Sequence, residues 1–221
     1  VKTVFFENTA NAQEFVNRKI VSQEKITVLH GAGIDVQAYS YQAYPENACV
    51  HFLYLGRIMK EKGMDELLDA CEQLHQEGYS FVLDLVGFFE DAYKQRINQL
   101  SAQGMVVFHG FQQEPRPFYA NCDCVVLPSY HEGMSNVLLE AAATGRPVIT
   151  SDIPGCREAV VDQKSGLLVP KGDAQALYQA MKHMLSIDRA QREQMGLAGR
   201  KWIKQQFSKE QVVRETKNAL M

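Results

Sequence analysis

The chain has 221 residues, 46% of them hydrophobic and 22% charged, with a formal net charge of −3. This is the composition of an ordinary soluble globular protein with ample apolar material for a core, so no disulfide or metal staple is required. The charge argues against a nucleic-acid-binding surface, which needs clustered Lys and Arg, and no apolar run approaches the roughly 20 residues of a membrane span. Five cysteines (Cys49, Cys71, Cys122, Cys124 and Cys156) share no metal-ligand spacing. Their odd number and apolar neighbours predict reduced, buried thiols in a reducing compartment.

The opening VKTVFFENTA is not a signal peptide and reads as the continuation of a longer chain. Short runs rich in Val, Ile, Leu and Phe at 26–29, 50–55, 81–86, 105–109, 124–127 and 147–150 then predict strands. Between the second and third, Met64, Leu67, Leu68, Cys71 and Leu74 fall on one face of a helix. NVLLEAAA, starting at Asn136, reads as a short helix with almost no polar face. Asp173 is a plausible N-cap for a helix striped by Leu177, Ala180, Met181, Met184 and Leu185. Met195, Ala198 and Trp202 mark the buried face of the next helix, and Ser208 with Gln211 fits a capping box that opens the last one. Strands apolar on both faces and joined by helices indicate a doubly wound parallel α/β sheet.

In such sheets ligands bind beyond the carboxyl ends of the strands. The stretch after residues 50–55 is GRIMKEKG, in which Arg57 and Lys62 precede a helix N-terminus; this suits a diphosphate, or equally two solvated charges on a loop. The stretch after 124–127 leads through Glu132, Gly133, Met134, Ser135 and Asn136 into the apolar helix. Gly133 permits close approach, and free N–H groups at the helix start could receive a phosphate. Glu140 is a carboxylate within that apolar helix, so it needs a donor: sugar hydroxyls, or a neighbouring Arg or backbone amide. His131 is read as a loop histidine, and no histidine is assigned to catalysis.

Glu132 and Glu140, spaced E-x7-E within EGMSNVLLEAAATGRPVIT, resemble the hallmark of family-4 glycosyltransferases of the GT-B architecture. GRIMKEKG is similar to that family's donor-diphosphate motif, and LHGAGID (29–35) resembles the turn that opens its donor domain. LVGFF (85–89), HGF (109–111) and VVLPSYHEG (125–133) follow in the family's order. The resemblance covers the C-terminal half of that architecture only, a Rossmann-like sheet. It divides the chain into an inter-domain segment (1–24), a nucleotide-sugar donor domain (25–206) and a C-terminal helix (207–221) that crosses to an N-terminal domain outside this chain. An apolar surface is accordingly expected on residues 1–20 and on Val212, Val213 and Leu220.

The resemblance implies roles by residue. Arg57 and Lys62 hold the donor diphosphate and stabilise its departure; Glu132 contacts the transferred sugar; Glu140 binds the ribose hydroxyls. Gly133, Met134, Ser135 and Asn136, with Gly56 and Gly87, line the sugar and phosphates, and Gly110 and Phe111 lie near the base. It implies a retaining, metal-independent reaction without cofactor, a UDP-linked hexose or N-acetylhexosamine as donor, and a glycan or lipid-linked glycan as acceptor. PGCRE (154–158) is similar to bacterial transferases of capsule, O-antigen or protein-glycan assembly, which implies a cytoplasmic protein, peripheral at the inner face of the plasma membrane. The sequence departs from the family where Phe88 and Phe89 follow Gly87 and where Met134-Ser135 replaces a bulkier residue and proline. A free-standing nucleotide-sugar-binding module and a GT-B-like epimerase are the alternatives.

Overall fold

The computed structural model describes residues 1–220. A small unit comes first: β1 (Val4–Phe6), α1 (Thr9–Asn17) and β2 (Ile26–Val28), the two strands pairing in parallel. Residues 1–24 are therefore largely ordered secondary structure rather than a bare connecting segment, and the strand expected at 26–29 joins β1 instead of the main sheet. Phe6 packs edge-to-face on Phe15, while Phe5, Phe15, Ile20 and Val28 keep substantial exposed surface.

The main sheet comprises β3 (Val50–Leu55), β4 (Phe81–Val86), β5 (Val106–Gly110), β6 (Cys124–Leu127), β7 (Val148–Ser151) and β8 (Gly166–Val169). All pairings are parallel, in the spatial order β5-β4-β3-β6-β7-β8. Counted from β3, this is the 3-2-1-4-5-6 order of the Rossmann fold. The chain works outward from β3 to β5 and then crosses to β6, so the sheet reverses direction between β3 and β6. A ligand crevice is expected outside the carboxyl ends of those two strands.

Helices cover both faces: α2 (Met64–Gln76), α3 (Lys94–Ala102), α4 (Arg116–Asn121), α5 (Asn136–Thr144), α6 (Ala174–Ser186), α7 (Arg189–Gln206) and α8 (Lys209–Leu220). The predicted α2 stripe is buried in full. Asp173 caps α6 through the Ala176 amide at 2.8 Å. On α7 the deepest face is Arg192, Gly196, Gly199 and Ile203, with Met195, Ala198 and Trp202 only half-buried beside it. A stripe of glycines carries no hydrophobic signal, which is why the sequence pointed one position aside. The capping box of this region is Asp188–Gln191 at the start of α7. At Ser208 only a long contact to the Gln211 amide forms (3.4 Å), because the Gln211 side chain turns to Glu215 instead.

Val212 is buried, and Gly33 packs against it where α8 returns to the LHGAGID turn. Only Val213 and Leu220 of the three expected apolar tail residues are exposed. Four cysteines are buried and Cys49 is half-buried, all as free thiols. No helix among the described residues is long and apolar enough to cross a membrane.

Arg146 fastens the layers together. It is fully buried and donates to the carbonyls of Tyr119 (2.8 Å), Ala120 (2.7 Å), Gln42 (3.1 Å) and Ala43 (2.9 Å). Its guanidinium also stands 5.2 Å from the Tyr44 ring centre. The fork thereby satisfies carbonyls at the end of α4 and ties the 42–44 segment to them.

Candidate functional site

The carboxyl ends of β3, β4 and β5 are laced together by backbone alone. Gly56 N–H donates to the Val86 carbonyl and Gly87 N–H to the Gly110 carbonyl, each at 2.9 Å. A Cβ on Gly87 would overlap the Gly56 carbonyl oxygen, so a side chain at 87 would push the two strand ends apart. At the reversal point, Gly63 adopts φ +72 and leaves no room for a Cβ against the Pro128 carbonyl oxygen. The Tyr130 amide donates to the Glu61 carbonyl at 2.8 Å, and the Tyr130 hydroxyl reaches Glu66 at 2.5 Å. The loops that follow β3 and β6 are thus clamped to each other across the crevice that the topology creates.

Lys62 and Glu132 meet there. Lys62 Nζ lies 2.6 Å from Glu132 Oε1, and the Ser129 hydroxyl donates to the same oxygen at 2.8 Å. Each charged side chain is only 15% exposed, which strengthens their attraction relative to a solvated pair. Arg57 is more open, at 50% exposure, and pairs with Glu90 at 3.0 Å. Its own carbonyl accepts from the Tyr54 hydroxyl, a bond that fixes the turn after β3. Both cations singled out in the sequence are therefore engaged by carboxylates, and neither is an unpaired solvated charge.

Glu140 accepts the Tyr119 hydroxyl at 2.8 Å. The donor is a tyrosine hydroxyl, neither the arginine nor the backbone amide that the sequence left open. Burial raises the Glu140 carboxyl above the usual glutamate range, and the neighbouring tyrosine hydroxyls offset only part of that. Burial and the neighbouring Glu140 charge push the Tyr39 hydroxyl up to about 12. Arg146 enters here at second hand: by holding the Tyr119 carbonyl it places the ring whose hydroxyl orients Glu140. Tyr39, Tyr119 and Ser129 had no signal in the sequence. The two tyrosines are brought to Glu140 only by the fold, whereas Ser129 is local to Glu132, within the same loop.

The loop into α5 differs in detail from expectation. The Ser135 amide is taken by the Gly155 carbonyl at 2.9 Å, so it cannot also receive a phosphate. The Ser135 side chain is buried and makes no capping bond to α5. Met134 is buried against Gly31 of the LHGAGID turn. Asn136 is exposed at the first position of α5. The uncapped start of α5 leaves an N-terminal partial positive charge facing the side of the sheet that carries Lys62. Gly110 ends β5, and the exposed Phe111 ring stands edge-to-face to the exposed Phe88 at 6.3 Å. His131 is exposed.

The order of strands and the loops clamped together at their carboxyl ends define a Rossmann-like domain of the GT-B architecture. A family model described as glycosyl transferases group 1 matches residues 49–186. The chain belongs to that family. It is 30% identical over 211 residues to the capsular polysaccharide biosynthesis glycosyltransferase CapM of Staphylococcus aureus, covering 88% of this chain and 55% of the relative. Among solved structures it resembles a sucrose-phosphate synthase of Thermosynechococcus elongatus (TM-score 0.82, 25% identity), covering 98% of this chain and 57% of that one. HepE of Anabaena in complex with UDP has the same fold (TM-score 0.85, 21% identity), with 100% of this chain and 64% of that one covered. The chain spans about half the length of the curated relatives it matches.

Proposed function

We propose that the chain binds a UDP-linked sugar in the crevice between the loops after β3 and β6, and that it serves as the donor half of a retaining glycosyltransferase. The observation that carries this reading is the largely buried Lys62–Glu132 pair at the point where the strand order reverses, at the same end of the sheet as the uncapped start of α5. Lys62 and Arg57 are the cations available to a diphosphate, and each gives up a carboxylate partner to engage it. Charge that develops on the departing diphosphate then falls on preorganised cations and a helix N-terminus, which act without a metal ion. Glu132, released from Lys62, turns to a hydroxyl of the transferred sugar. Glu140, already oriented by Tyr119, takes the ribose hydroxyls. The UDP complex of HepE supports UDP as the nucleotide.

The transferred group is a hexose or N-acetylhexosamine, and the acceptor is a glycan or lipid-linked glycan held by protein outside this chain. Anomeric configuration is retained. The whole protein works in the cytoplasm at the inner face of the plasma membrane, where a lipid-linked acceptor is presented. Calorimetric titration with UDP, GDP and ADP tests the site. A preference for UDP that is lost in both Lys62→Ala and Glu140→Ala is expected, and a folded chain that binds none of the three overturns the reading.

A further inference from the structure

The corner where β1 turns into α1 reaches the donor loop. Asn8 is 98% buried, being 2% exposed, and its side chain is used at both ends. Its Oδ1 caps α1 by accepting the Asn11 amide at 2.8 Å, and its Nδ2 donates to the Gly133 carbonyl at 2.9 Å. These two contacts fix the amide orientation, because a flipped side chain would face an N–H with its NH2 and a carbonyl with its oxygen. The neighbouring Glu7 carboxylate fills the space where a Cβ on Gly133 would stand, so the corner docks closely on that residue. From the far side, the Gly155 carbonyl holds the Ser135 amide at 2.9 Å.

We propose that Asn8 is a positioning residue for the donor loop, setting the plane of the Gly133–Met134 peptide so that the Met134 N–H serves the donor diphosphate. The inference rests on the donor-site reading above. The peptide is trans, so its C=O and N–H point in opposite directions. With the carbonyl held by Asn8, the Met134 N–H is turned away from the α1 corner, and it has no protein partner among the described residues. The Ser135 amide cannot substitute for it, since Gly155 occupies that group. Asn8 thus couples the β1–α1–β2 unit to a loop amide just ahead of α5 that has no protein partner among the described residues.

The test separates positioning from folding. Asn8→Asp and Asn8→Ser each retain an oxygen that caps α1, and each loses the donor to Gly133. UDP affinity and thermal unfolding of the 221-residue chain are measured for both variants beside the unsubstituted protein. The expected result is UDP binding weakened roughly five- to twenty-fold in both, the loss of one well-aimed bond to a charged group, with the unfolding midpoint lowered by only the several degrees that one lost buried bond costs and the chain still fully folded at the titration temperature. Undiminished UDP affinity in both variants overturns the positioning role while leaving the donor site intact. A fall in affinity seen only where the variant is no longer fully folded at the titration temperature also overturns it, by assigning Asn8 to folding alone. Failure of the unsubstituted chain to bind UDP overturns the donor-site reading and this inference with it.

Discussion

Lys62 Nζ and Glu132 Oε1 stand 2.6 Å apart across the point where the sheet reverses direction, joining the loop after β3 to the loop after β6. The pair is a stored contact: the cation is held ready, and its counter-charge is the residue assigned to the sugar. A diphosphate that takes Lys62 would compete with Glu132 for the ammonium.

That competition has a direct consequence. In Lys62→Met, UDP affinity should fall by at least about tenfold, the loss of one charge-assisted contact. Glu132→Gln, which frees the lysine, should bind UDP at least as tightly as the parent. A double-mutant cycle on stability should give a coupling of about 1–3 kcal/mol for this largely buried pair. Calorimetry and urea unfolding provide both readouts, and weaker UDP binding by Glu132→Gln would refute the competition.

Glu140 makes stability and binding pull in opposite directions with pH. Because burial raises its carboxyl in the folded chain, the native state holds that proton more tightly than the unfolded state does. The stability linked to it is present below the ordinary glutamate range and is lost as pH rises through the raised value. Glu140→Gln has no charge to desolvate, so its stability relative to the parent should grow as pH rises from the ordinary glutamate range through the raised value. Its UDP affinity at neutral pH should nevertheless drop. Urea midpoints of the two proteins across that range decide the matter, and parallel curves would exclude the effect.

Arg146 is expected to tolerate no replacement, lysine included. A single ammonium cannot serve carbonyls of Tyr119, Ala120, Gln42 and Ala43 together. Arg146→Lys should cost about 3 kcal/mol, which for a chain of this size lowers the unfolding midpoint by roughly 10 °C. Nucleotide affinity should weaken too, since Tyr119 loses its anchor. A scanning-calorimetry shift of no more than a degree or two would contradict this account.

Gly63 and Gly78 offer a matched comparison. Both have positive φ, but a Cβ on Gly63 meets the Pro128 carbonyl while one on Gly78 meets nothing within 4 Å. Gly78→Ala should cost about 1 kcal/mol from backbone strain alone. Gly63→Ala should cost clearly more and should also impair UDP binding, because the steric conflict spreads the crevice. Equal losses in urea unfolding would mean that the clamp has no energetic weight.

The sequence carried the main sheet because five of its strands are runs rich in Val, Ile, Leu and Phe and each is followed by a glycine, a proline or a polar turn. β8 escaped notice because Gly166–Val169 is four residues long and opens on glycine. β1 was missed for a related reason: three residues offer no alternation to count. At the site, the motifs located Lys62, Glu132 and Glu140, but periodicity says nothing of which side chains bind each other. Tyr119 lies 21 positions from Glu140, and Asn8 lies 125 positions from the loop residue it holds. The Ser135 amide looked free because a helix start normally leaves it so; a carbonyl from Gly155, on a different loop, closed it.

The buried cysteines give the protein chemical clocks. Burial pushes the Cys122 and Cys156 thiols up to about 12 and raises those of Cys71 and Cys124 as well, so none presents a reactive thiolate at neutral pH while its surroundings stay closed. A thiol reagent can therefore modify each one only during an opening of its own neighbourhood. Cys71 reports on α2, Cys122 and Cys124 on the centre of the sheet, and Cys156 on the ground beneath the Lys62–Glu132 pair. Labelling rates read residue by residue, with and without UDP, would show whether nucleotide slows the breathing of the crevice alone or of the whole domain.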